Sequence, residues 1–490
     1  MPIYHPFTAR QVKNQVKLLH LFQVGVFFSR NLKYLAIRII NLMKTHIKSL
    51  LTFGFIVQAL ILSAGAQSGV LFTSLYSFTG GNDGAIPMAA LVQGSDGFFY
   101  DTTFNGGTNG VGTVFKINSK GVLTSMHSFT NGNEGANPQA GLLQGSDGKF
   151  YGTTSLGGTN YAGTVFKIST NGALTSYLFT GGNHGSEPVA GLVRGSNGNF
   201  YGTTELGGAS GCGTVFKIST NGALTSLYSF TGGNDGSGPV AGLVQGSDGF
   251  FYGTTSGATS SGRNGDGTVF KISTNGALTS LYSFTGGNDG SKPVAGLVKD
   301  SDGYFYGTTS LGGTNGAGTV FKISTNGALT SLYSFTGGND GYLPYAGLVP
   351  DGHGYFYGTT FYGGTNGAGI VFKISTNGAL TSLYSFTGGN DGSRPNGLVQ
   401  GSDGGFYGTT ATGGTNGYGT VFKLTIAPQL TITYSSNRAI ISWPPSVTGW
   451  TLQTNNNLST GNWGNYPGQV VNNSITNSPP KGNLFFRLTQ

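Results

Sequence analysis

The chain has 490 residues, well beyond the ~150 residues of an average domain, so it contains either several domains or one domain built from repeats. Its 89 glycines form no collagen triplet, and 12% aromatic residues accompany only 9% charged ones. This composition favours many short strands joined by tight turns and excludes a disordered chain. Eight of the 25 basic residues lie in 1–66, where no acidic residue occurs, which leaves 17 basic and 17 acidic residues downstream. The downstream chain is formally neutral, so we expect no nucleic-acid partner.

The N-terminal segment has the pattern of a secretory signal peptide. From Met43 the chain reads MKTHIKSLLTFGFIVQALILSAGAQ, with a basic start, an apolar run over 50–62 and small residues before a cleavage site near Ala66. A transmembrane anchor is the alternative, but the apolar run is shorter than the ~20 residues that span a bilayer. We therefore expect a signal peptide at 43–66 and a secreted or cell-surface protein without stable membrane insertion. Residues 1–42 would be an upstream extension from a mis-called translation start.

One motif, close to GLVQGSDGxFYGTT, recurs seven times after the signal peptide. Its tyrosines are Tyr100, Tyr151, Tyr201, Tyr252, Tyr306, Tyr357 and Tyr407. A spacing of 50 to 54 residues, with several short strands in each unit, is typical of β-propeller blades.

Each unit divides into four strands at its turn residues. Ala-Gly-Leu-Val-Gln is a first strand, Ser-Asp-Gly turns it into Phe-Tyr-Gly-Thr-Thr, and a glycine-rich loop leads to Gly-Thr-Val-Phe-Lys-Ile. Thr-Asn-Gly then begins a return along Leu-Thr-Ser-Leu-Tyr-Ser-Phe. Asp-Gly and Asn-Gly between apolar runs are strong hairpin signals. Adjacent apolar residues such as Phe150 and Tyr151 break the alternation expected of a sheet with one wet face, so both faces should be covered by neighbouring blades.

The two ends of the array predict how it closes. A lone fourth strand, 71–78, precedes the first unit, and the seventh unit stops after its third strand, 419–426. If 71–78 completes the last blade, no strand edge stays open. The fold class we predict is all-β: a seven-bladed β-propeller of four-stranded antiparallel blades at 67–426, followed by a small β-sandwich at 427–490.

These repeats resemble the GloVer tandem-repeat family of exported bacterial proteins over about residues 70–426. The resemblance implies a propeller on a secreted protein and carries over no catalytic residue. Beyond Ala427 the repeats stop, and short strands are predicted at 430–434, 439–443, 450–454 and 484–488. Their pattern resembles small fibronectin-type-III-like sandwiches, with Trp443 in the core.

Strand order assigns the loops to two faces. The Ser-Asp-Gly and Thr-Asn-Gly turns share one face, and the Gly-Gly-Asn-Asp-Gly and Gly-Gly-Thr-Asn-Gly loops share the other, which varies between repeats and is the place to expect distinctive chemistry. Its aromatic arc, a candidate for stacking on sugar rings or gripping a partner protein, comprises Tyr342, Phe361, Tyr362, Tyr418 and Phe104. Its charged arc, the alternative site, comprises Glu187, Glu205, Arg263, Asp266 and Lys292. Aromatic side chains that only pack the loops are the simpler alternative for the first arc.

Other chemistries have weaker sequence support. The repeated Asn-Asp-Gly could bind calcium, but no D-x-[DN]-x-[DN]-G loop with a distal Glu is present, and turn formation explains these residues without a metal. Cys212 is the only cysteine, so no intrachain disulfide is possible; it is either a nucleophile or a small tolerated side chain in a glycine loop. We therefore expect no cofactor.

The function we predict is that of a non-enzymatic, monomeric binding or scaffold module, with a polysaccharide or a cell-surface protein as partner. A carbohydrate-active hydrolase or lyase is the alternative, because Glu187, Glu205 and Asp266 could converge on the variable face. Such chemistry needs two carboxylates separated by about 5–9 Å.

Overall fold

The computed structural model of the protein describes residues 69–257, 265–428, 430–435, 438–443, 451–456, 462–471, 473–477 and 484–489. The predicted extension at 1–42 and the predicted signal peptide at 43–66 lie outside the described residues. The described residues form two compact units, one up to residue 428 and one of C-terminal strands from residue 430 onward. Within these ranges, no helix is long and apolar enough to cross a membrane.

The larger unit consists of seven four-stranded antiparallel sheets, named sheets 1 to 7 in chain order. The second strands, which carry the Phe-Tyr motif, are Phe99–Thr103, Phe150–Thr154, Phe200–Thr204, Phe251–Thr255, Phe305–Thr309, Tyr355–Thr360 and Phe406–Thr412. The third strands are Thr113–Ile117, Thr164–Ile168, Thr214–Ile218, Thr268–Ile272, Thr319–Ile323, Ile370–Ser375 and Thr420–Ile426. The predicted repeat of four-stranded antiparallel sheets is confirmed.

The outer and inner strands complete each sheet. The fourth strands are Leu123–Ser128, Leu174–Leu178, Leu224–Ser229, Leu278–Ser283, Leu329–Ser334, Leu380–Ser385 and, in sheet 7, Val70–Ser77. The first strands are Val92–Gln93, Leu143–Gln144, Val193–Arg194, Val244–Gln245, Val298–Lys299, Val349–Pro350 and Ser393–Gln400. Two short 3₁₀ helices, Thr159–Tyr161 and Gly182–His184, lie in loops.

Six of the seven first strands are shorter than predicted, because the small residues before them pack against the neighbouring repeat. A Cβ atom on Gly191 would lie 3.3 Å from the carbonyl oxygen of Gly141, and one on Gly242 would lie 3.2 Å from that of Gly191. Successive backbones therefore approach each other where only small residues fit. Regular strand pairing begins two residues later.

The turns follow the local chemistry of their residues. In sheet 5, Gly303 has a φ of 84°, which a residue with a side chain adopts only with strain. The side chain of Asp302 before it accepts a hydrogen bond from the backbone N–H of Tyr304 at 3.0 Å. Short-range chemistry of this kind explains why the hairpins could be read from the sequence.

The N-terminal strand closes the last sheet. Val70–Ser77 pairs antiparallel with Thr420–Ile426, with Val70 opposite Ile426 and Ser77 opposite Thr420. The predicted pairing of the orphan strand with the vacancy in the seventh unit is confirmed. The pairing covers the backbone edge that Thr420–Ile426 would otherwise expose.

Consecutive sheets pack through aromatic pairs of two kinds: an edge-to-face pair of phenylalanines, such as Phe230–Phe270, and a tyrosine that stacks on the phenylalanine of the next sheet. The ring centroids lie 3.9–4.2 Å apart in Tyr100–Phe150, Tyr151–Phe200, Tyr201–Phe251, Tyr252–Phe305, Tyr306–Phe356, Tyr357–Phe406 and Tyr407–Phe99. The last pair joins sheet 7 to sheet 1. Each sheet is therefore covered on both faces, as the unbroken apolar runs predicted.

A hydrogen bond reinforces the junction between sheets 7 and 1. The hydroxyl of Thr409 donates to the carbonyl oxygen of Ala89 at 2.9 Å, and the equivalent Thr153 of sheet 2 donates to Ala190 of the next repeat at 3.1 Å. Because these threonines are buried, their hydroxyls need such partners.

The C-terminal unit contains two three-stranded sheets. The first comprises Thr431–Ser435, Arg438–Ser442 and Ser474–Asn477, and the second comprises Thr451–Asn455, Gly464–Asn465 and Phe485–Thr489. Trp443, the predicted core residue, is buried, and its backbone N–H donates to the carbonyl oxygen of Asn473 at 3.0 Å.

Candidate functional site

The two classes of variable loop meet, which places them on one face as predicted. In sheet 5 the backbone N–H of Gly313 donates to the carbonyl oxygen of Gly287 at 2.8 Å, and in sheet 6 that of Gly364 donates to Gly338 at 2.9 Å. These bonds join each Gly-Gly-Thr-Asn-Gly loop to the Gly-Gly-Asn-Asp-Gly loop before it. Residues that differ between repeats are therefore presented on a rigid, repeated backbone.

The Asn-Asp-Gly carboxylates are already occupied by protein donors. Asp340 accepts hydrogen bonds from the backbone N–H of Thr336 at 2.8 Å, from the hydroxyl of Thr336, and from the hydroxyl of Tyr333 at 2.9 Å. Burial, this hydrogen bond and the negative charge of Asp340 raise the pKa of Tyr333 to about 12. The same arrangement recurs at Asp83, Asp235, Asp289 and Asp391.

These contacts give the carboxylates a structural task that needs no calcium. Two repeats carry Glu134 and His184 in place of this aspartate. In one, the imidazole of His127 lies 3.3 Å from the carboxylate of Glu134, and in the other, the hydroxyl of Thr180 lies 2.7 Å from a ring nitrogen of His184. In the described ranges, no group of three His, Cys, Asp or Glu side chains is placed to hold a metal ion.

Sheet 6 brings four aromatic residues together on the variable face. We call Tyr342, Tyr345, Phe361 and Tyr362 the aromatic shelf. Tyr342 and Tyr362 exchange two backbone hydrogen bonds of 2.9 and 3.0 Å, and the N–H of Phe361 donates to the carbonyl oxygen of Leu343 at 2.9 Å. The shelf therefore rests on two short segments that backbone hydrogen bonds hold together.

The rings of the shelf contact one another. The ring centroids of Tyr342 and Tyr362 are 6.3 Å apart and nearly parallel, those of Phe361 and Tyr362 are 5.0 Å apart and perpendicular, and those of Tyr345 and Phe361 are 5.3 Å apart. Tyr345 precedes the inner strand Val349–Pro350 and lies beside Phe361, and 47% of its surface is exposed.

Arg394, which the sequence analysis missed, completes this surface from sheet 7. Its guanidinium carbon lies 5.5 Å from the ring centroid of Phe361 and 5.4 Å from that of Tyr362. Both distances are within the range of cation–π attraction. The sequence marks this residue only weakly, because arginine stands where the two preceding repeats carry Lys292 and Leu343.

The tyrosine hydroxyls of the shelf differ in their hydrogen bonding from the tyrosine hydroxyls that lie between the sheets. Core tyrosines such as Tyr306 donate their hydroxyls to aspartates, here to Asp302 at 2.6 Å. The hydroxyls of Tyr342, Tyr345 and Tyr362 make no hydrogen bond within the described part of the chain. Burial, followed by the neighbouring Tyr342 and Tyr362, raises the pKa of Tyr345, so its hydroxyl stays a neutral donor and acceptor at pH 7.

The other two predicted aromatic residues lie elsewhere. Tyr418, 44% exposed, lies over Gly80, where an added Cβ atom would come within 2.7 Å of its ring. Phe104 is half-buried, and its carbonyl oxygen accepts a hydrogen bond from the side chain of Asn137 at 3.0 Å. Neither ring contacts the shelf among the described residues.

The charged arc separates into two pairs. Glu187 and Glu205 are joined by a backbone hydrogen bond of 3.0 Å, and burial, with the negative charge of Glu187, raises the pKa of Glu205. The backbone N–H of Lys292 donates to the backbone carbonyl oxygen of Asp266 at 2.8 Å, and the ammonium group of Lys292 donates to the carbonyl oxygen of Gly265 at 2.7 Å.

No hydrogen bond or ion pair joins Asp266 to either glutamate in the described ranges, and Arg263 lies outside those ranges. Cys212 is fully buried, with its thiol 3.3 Å from the carbonyl oxygen of Ser210. It packs as a small core side chain.

Four-stranded antiparallel sheets packed in sequence, with one variable loop face, define the class: an all-β, propeller-like tandem-repeat protein. The chain belongs to the Gloeobacter/Verrucomicrobia repeat family, whose model matches residues 65–262 and again residues 247–466. The predicted family resemblance is thus confirmed. No curated protein matches the chain.

Solved structures that align with the chain share little sequence with it. A gluconolactonase from Xanthomonas campestris is 12% identical and covers 72% of this chain and 89% of its own, with a TM-score of 0.38. A putative 6-phosphogluconolactonase from Bacteroides uniformis is 17% identical and covers 79% of this chain and 97% of its own, with a TM-score of 0.41. Likenesses at this level carry no argument about activity.

Proposed function

We propose that the protein is a non-enzymatic binding module whose aromatic shelf binds a polysaccharide. The observation that carries the proposal is the set of three tyrosine hydroxyls that lack a hydrogen bond among the described residues, on rings that are partly open to solvent. Sugars present C–H faces to aromatic rings and hydroxyls to polar groups, and the shelf offers both. The rigid backbone beneath the shelf keeps the cost of ordering it on binding low.

The proposal includes the finer architecture. The seven sheets would be the blades of one closed, monomeric seven-bladed propeller, and the C-terminal strands would form a small sandwich. Export through the signal peptide, with cleavage near Ala66, would bring the shelf into contact with extracellular glycans.

A glycan array probed with the purified chain tests the proposal. Sheet 5 carries Ser291, Val294, Ser310 and Leu311 at the four shelf positions, so the variant Tyr342→Ser, Tyr345→Val, Phe361→Ser, Tyr362→Leu restores residues that the repeat tolerates. Loss of about 1 kcal/mol or more per stacked ring should weaken binding at least tenfold. As a control, Tyr304→Asn removes an exposed tyrosine beside a Ser-Asp-Gly turn, where sheet 3 carries Asn199.

Binding that survives the four-residue variant would place the ligand elsewhere on the variable face. Binding to surface proteins but to no glycan would make a protein the partner.

A second candidate function, a carbohydrate-active hydrolase, is favoured by the Glu187–Glu205 pair. Burial, with the negative charge of Glu187, raises the pKa of Glu205, and a carboxyl group with a raised pKa near a second carboxyl group is what acid–base catalysis on a glycosidic bond needs. The variant Glu205→Ser, which restores the residue of sheets 2 and 5, should then abolish release of reducing sugar while leaving the fold intact. If the unmodified chain releases no reducing sugar from any glycan that it binds, this candidate is excluded.

A further inference from the structure

Arg394 is held in place by both its backbone and its side chain. Its N–H donates to the carbonyl oxygen of Ala368 at 2.9 Å, and its φ of 59° lies in the left-handed region. The equivalent positions share this conformation although their side chains differ: Ile86, Asn137, Glu187, Gly238, Lys292 and Leu343, with φ of 54–63°. The repeat therefore fixes the backbone at this position and tolerates many side chains on it.

The positive charge of Arg394 has no partner in the described part of the chain. The ion pairs found there are His127 with Glu134 and Lys423 with Asp403, and neither involves Arg394. Phe361 and Tyr362 contact the guanidinium group, but rings cannot satisfy its N–H donors. A half-buried arginine with its N–H groups unpaired is suited to receive an anion from outside the protein.

The planar guanidinium suits an anion that presents two oxygens side by side. A guanidinium presents parallel N–H bonds in a plane, which match the two oxygens of a carboxylate. A sugar that carries a carboxylate would place this group on Arg394 and its ring on the neighbouring aromatic surface.

Resting on the proposed function, we propose that the ligand is an acidic polysaccharide of the uronate class, with its carboxylate paired to Arg394 and its sugar ring stacked on the aromatic shelf. The shelf would supply affinity for the sugar ring, and Arg394 would supply the preference for the acid over its neutral form. The negative pair Glu187–Glu205 lies in other repeats of the array and makes no contact with Arg394 among the described residues.

Affinity electrophoresis and calorimetry with matched polymers test this inference on the full chain. The probes are polygalacturonate, its methyl-esterified form, alginate, dextran and dextran sulfate. We expect at least one polyuronate to bind ten times more tightly than esterified polygalacturonate and dextran. Arg394→Gln should abolish this preference without changing binding to the neutral polymers, and Arg394→Lys should recover only part of it. Arg194→Gln is the matched control, because it removes an exposed arginine from the first strand of sheet 3, where sheets 2 and 4 carry Gln144 and Gln245; it should change the affinity less than twofold.

The outcomes separate the two proposals. Equal binding of acid and ester that is lost in the four-residue shelf variant would overturn the uronate inference and keep the polysaccharide proposal. Equal losses from Arg394→Gln and Arg194→Gln would show a diffuse charge effect and overturn the inference, as would dextran sulfate binding more tightly than every polyuronate. Binding to none of the polymers would overturn the inference, and a glycan array without hits would then overturn the polysaccharide proposal as well. Thermal unfolding of each variant checks that the fold is retained.

Discussion

Asp101 occupies a position where the six sister repeats have glycine. A Cβ atom on the equivalent Gly307 would lie 2.7 Å from the ring of Phe321 and 2.7 Å from Leu297, so the space is already filled. The side chain of Asp101 is fully buried, and neither carboxylate oxygen has a hydrogen-bond partner in the described ranges. Burial raises its pKa from 3.8 to about 8, against a small opposing effect of the Thr102 N–H.

This pKa predicts how stability depends on pH. Between pH 3.8 and 8 the folded chain holds a proton on Asp101 that the unfolded chain releases, so the contribution of Asp101 to stability is most favourable below pH 3.8 and is lost as the pH rises through 8. The pH dependence amounts to a loss of up to ~1.4 kcal/mol in the free energy of unfolding for each pH unit across this window. Asp101→Gly should remove it. Urea unfolding at pH 5 and 8 measures the effect. Asp101→Asn, which keeps the volume, should remove the pH dependence too; a slope that persists in both variants would assign it to other groups.

The Asp340 carboxylate allows a second prediction for single residues. Asp340→Asn replaces a charged acceptor that serves Thr336 and Tyr333, and should lower the free energy of unfolding by about 1–3 kcal/mol. Because these donors are part of the protein, chelation of calcium should leave the melting temperature unchanged. Calorimetry with and without EDTA measures both effects, and a melting temperature that falls on chelation and recovers with calcium would show a metal site instead.

At the scale of the element, Val70–Ser77 determines whether sheet 7 has an open edge. Deleting it should leave one edge of Thr420–Ile426 unpaired and expose Phe422, which now packs on Phe72 with ring centroids 5.4 Å apart. We expect aggregation and faster proteolysis, as unpaired edges cause. The control replaces residues 70–72 by Gly-Ala-Leu, the equivalent residues of sheet 5, and should stay monodisperse. The prediction would be contradicted if the deletion variant eluted as a monomer in size-exclusion chromatography and kept the melting temperature of the unmodified protein.

At the scale of the whole molecule, the closed propeller proposed above would make every junction between sheets equivalent. Phe99 stacks on Tyr407 across the junction of the last and first sheets at 4.0 Å, and Phe251 stacks on Tyr201 within the series at 4.1 Å. Phe99→Leu and Phe251→Leu should therefore destabilise the protein equally, by about 1 kcal/mol each, through loss of an aromatic pair. Urea unfolding compares them. A much smaller effect of Phe99→Leu would indicate an open series whose ends meet only loosely.

The sequence by itself determined the sheets, their turns and the pairing of the ends, because these depend on residues close in the chain or on a motif repeated seven times. Tertiary structure decided the composition of the candidate site. Tyr345 and Arg394 join Phe361 only because the inner strand of sheet 6 and the first residues of sheet 7 pack beside one loop, and no local pattern encodes that contact. The same packing brought Glu187 beside Glu205 and left Tyr418 and Phe104 away from the shelf. Side-chain positions on a loop face depend on how neighbouring sheets are placed, which is a property of the folded protein.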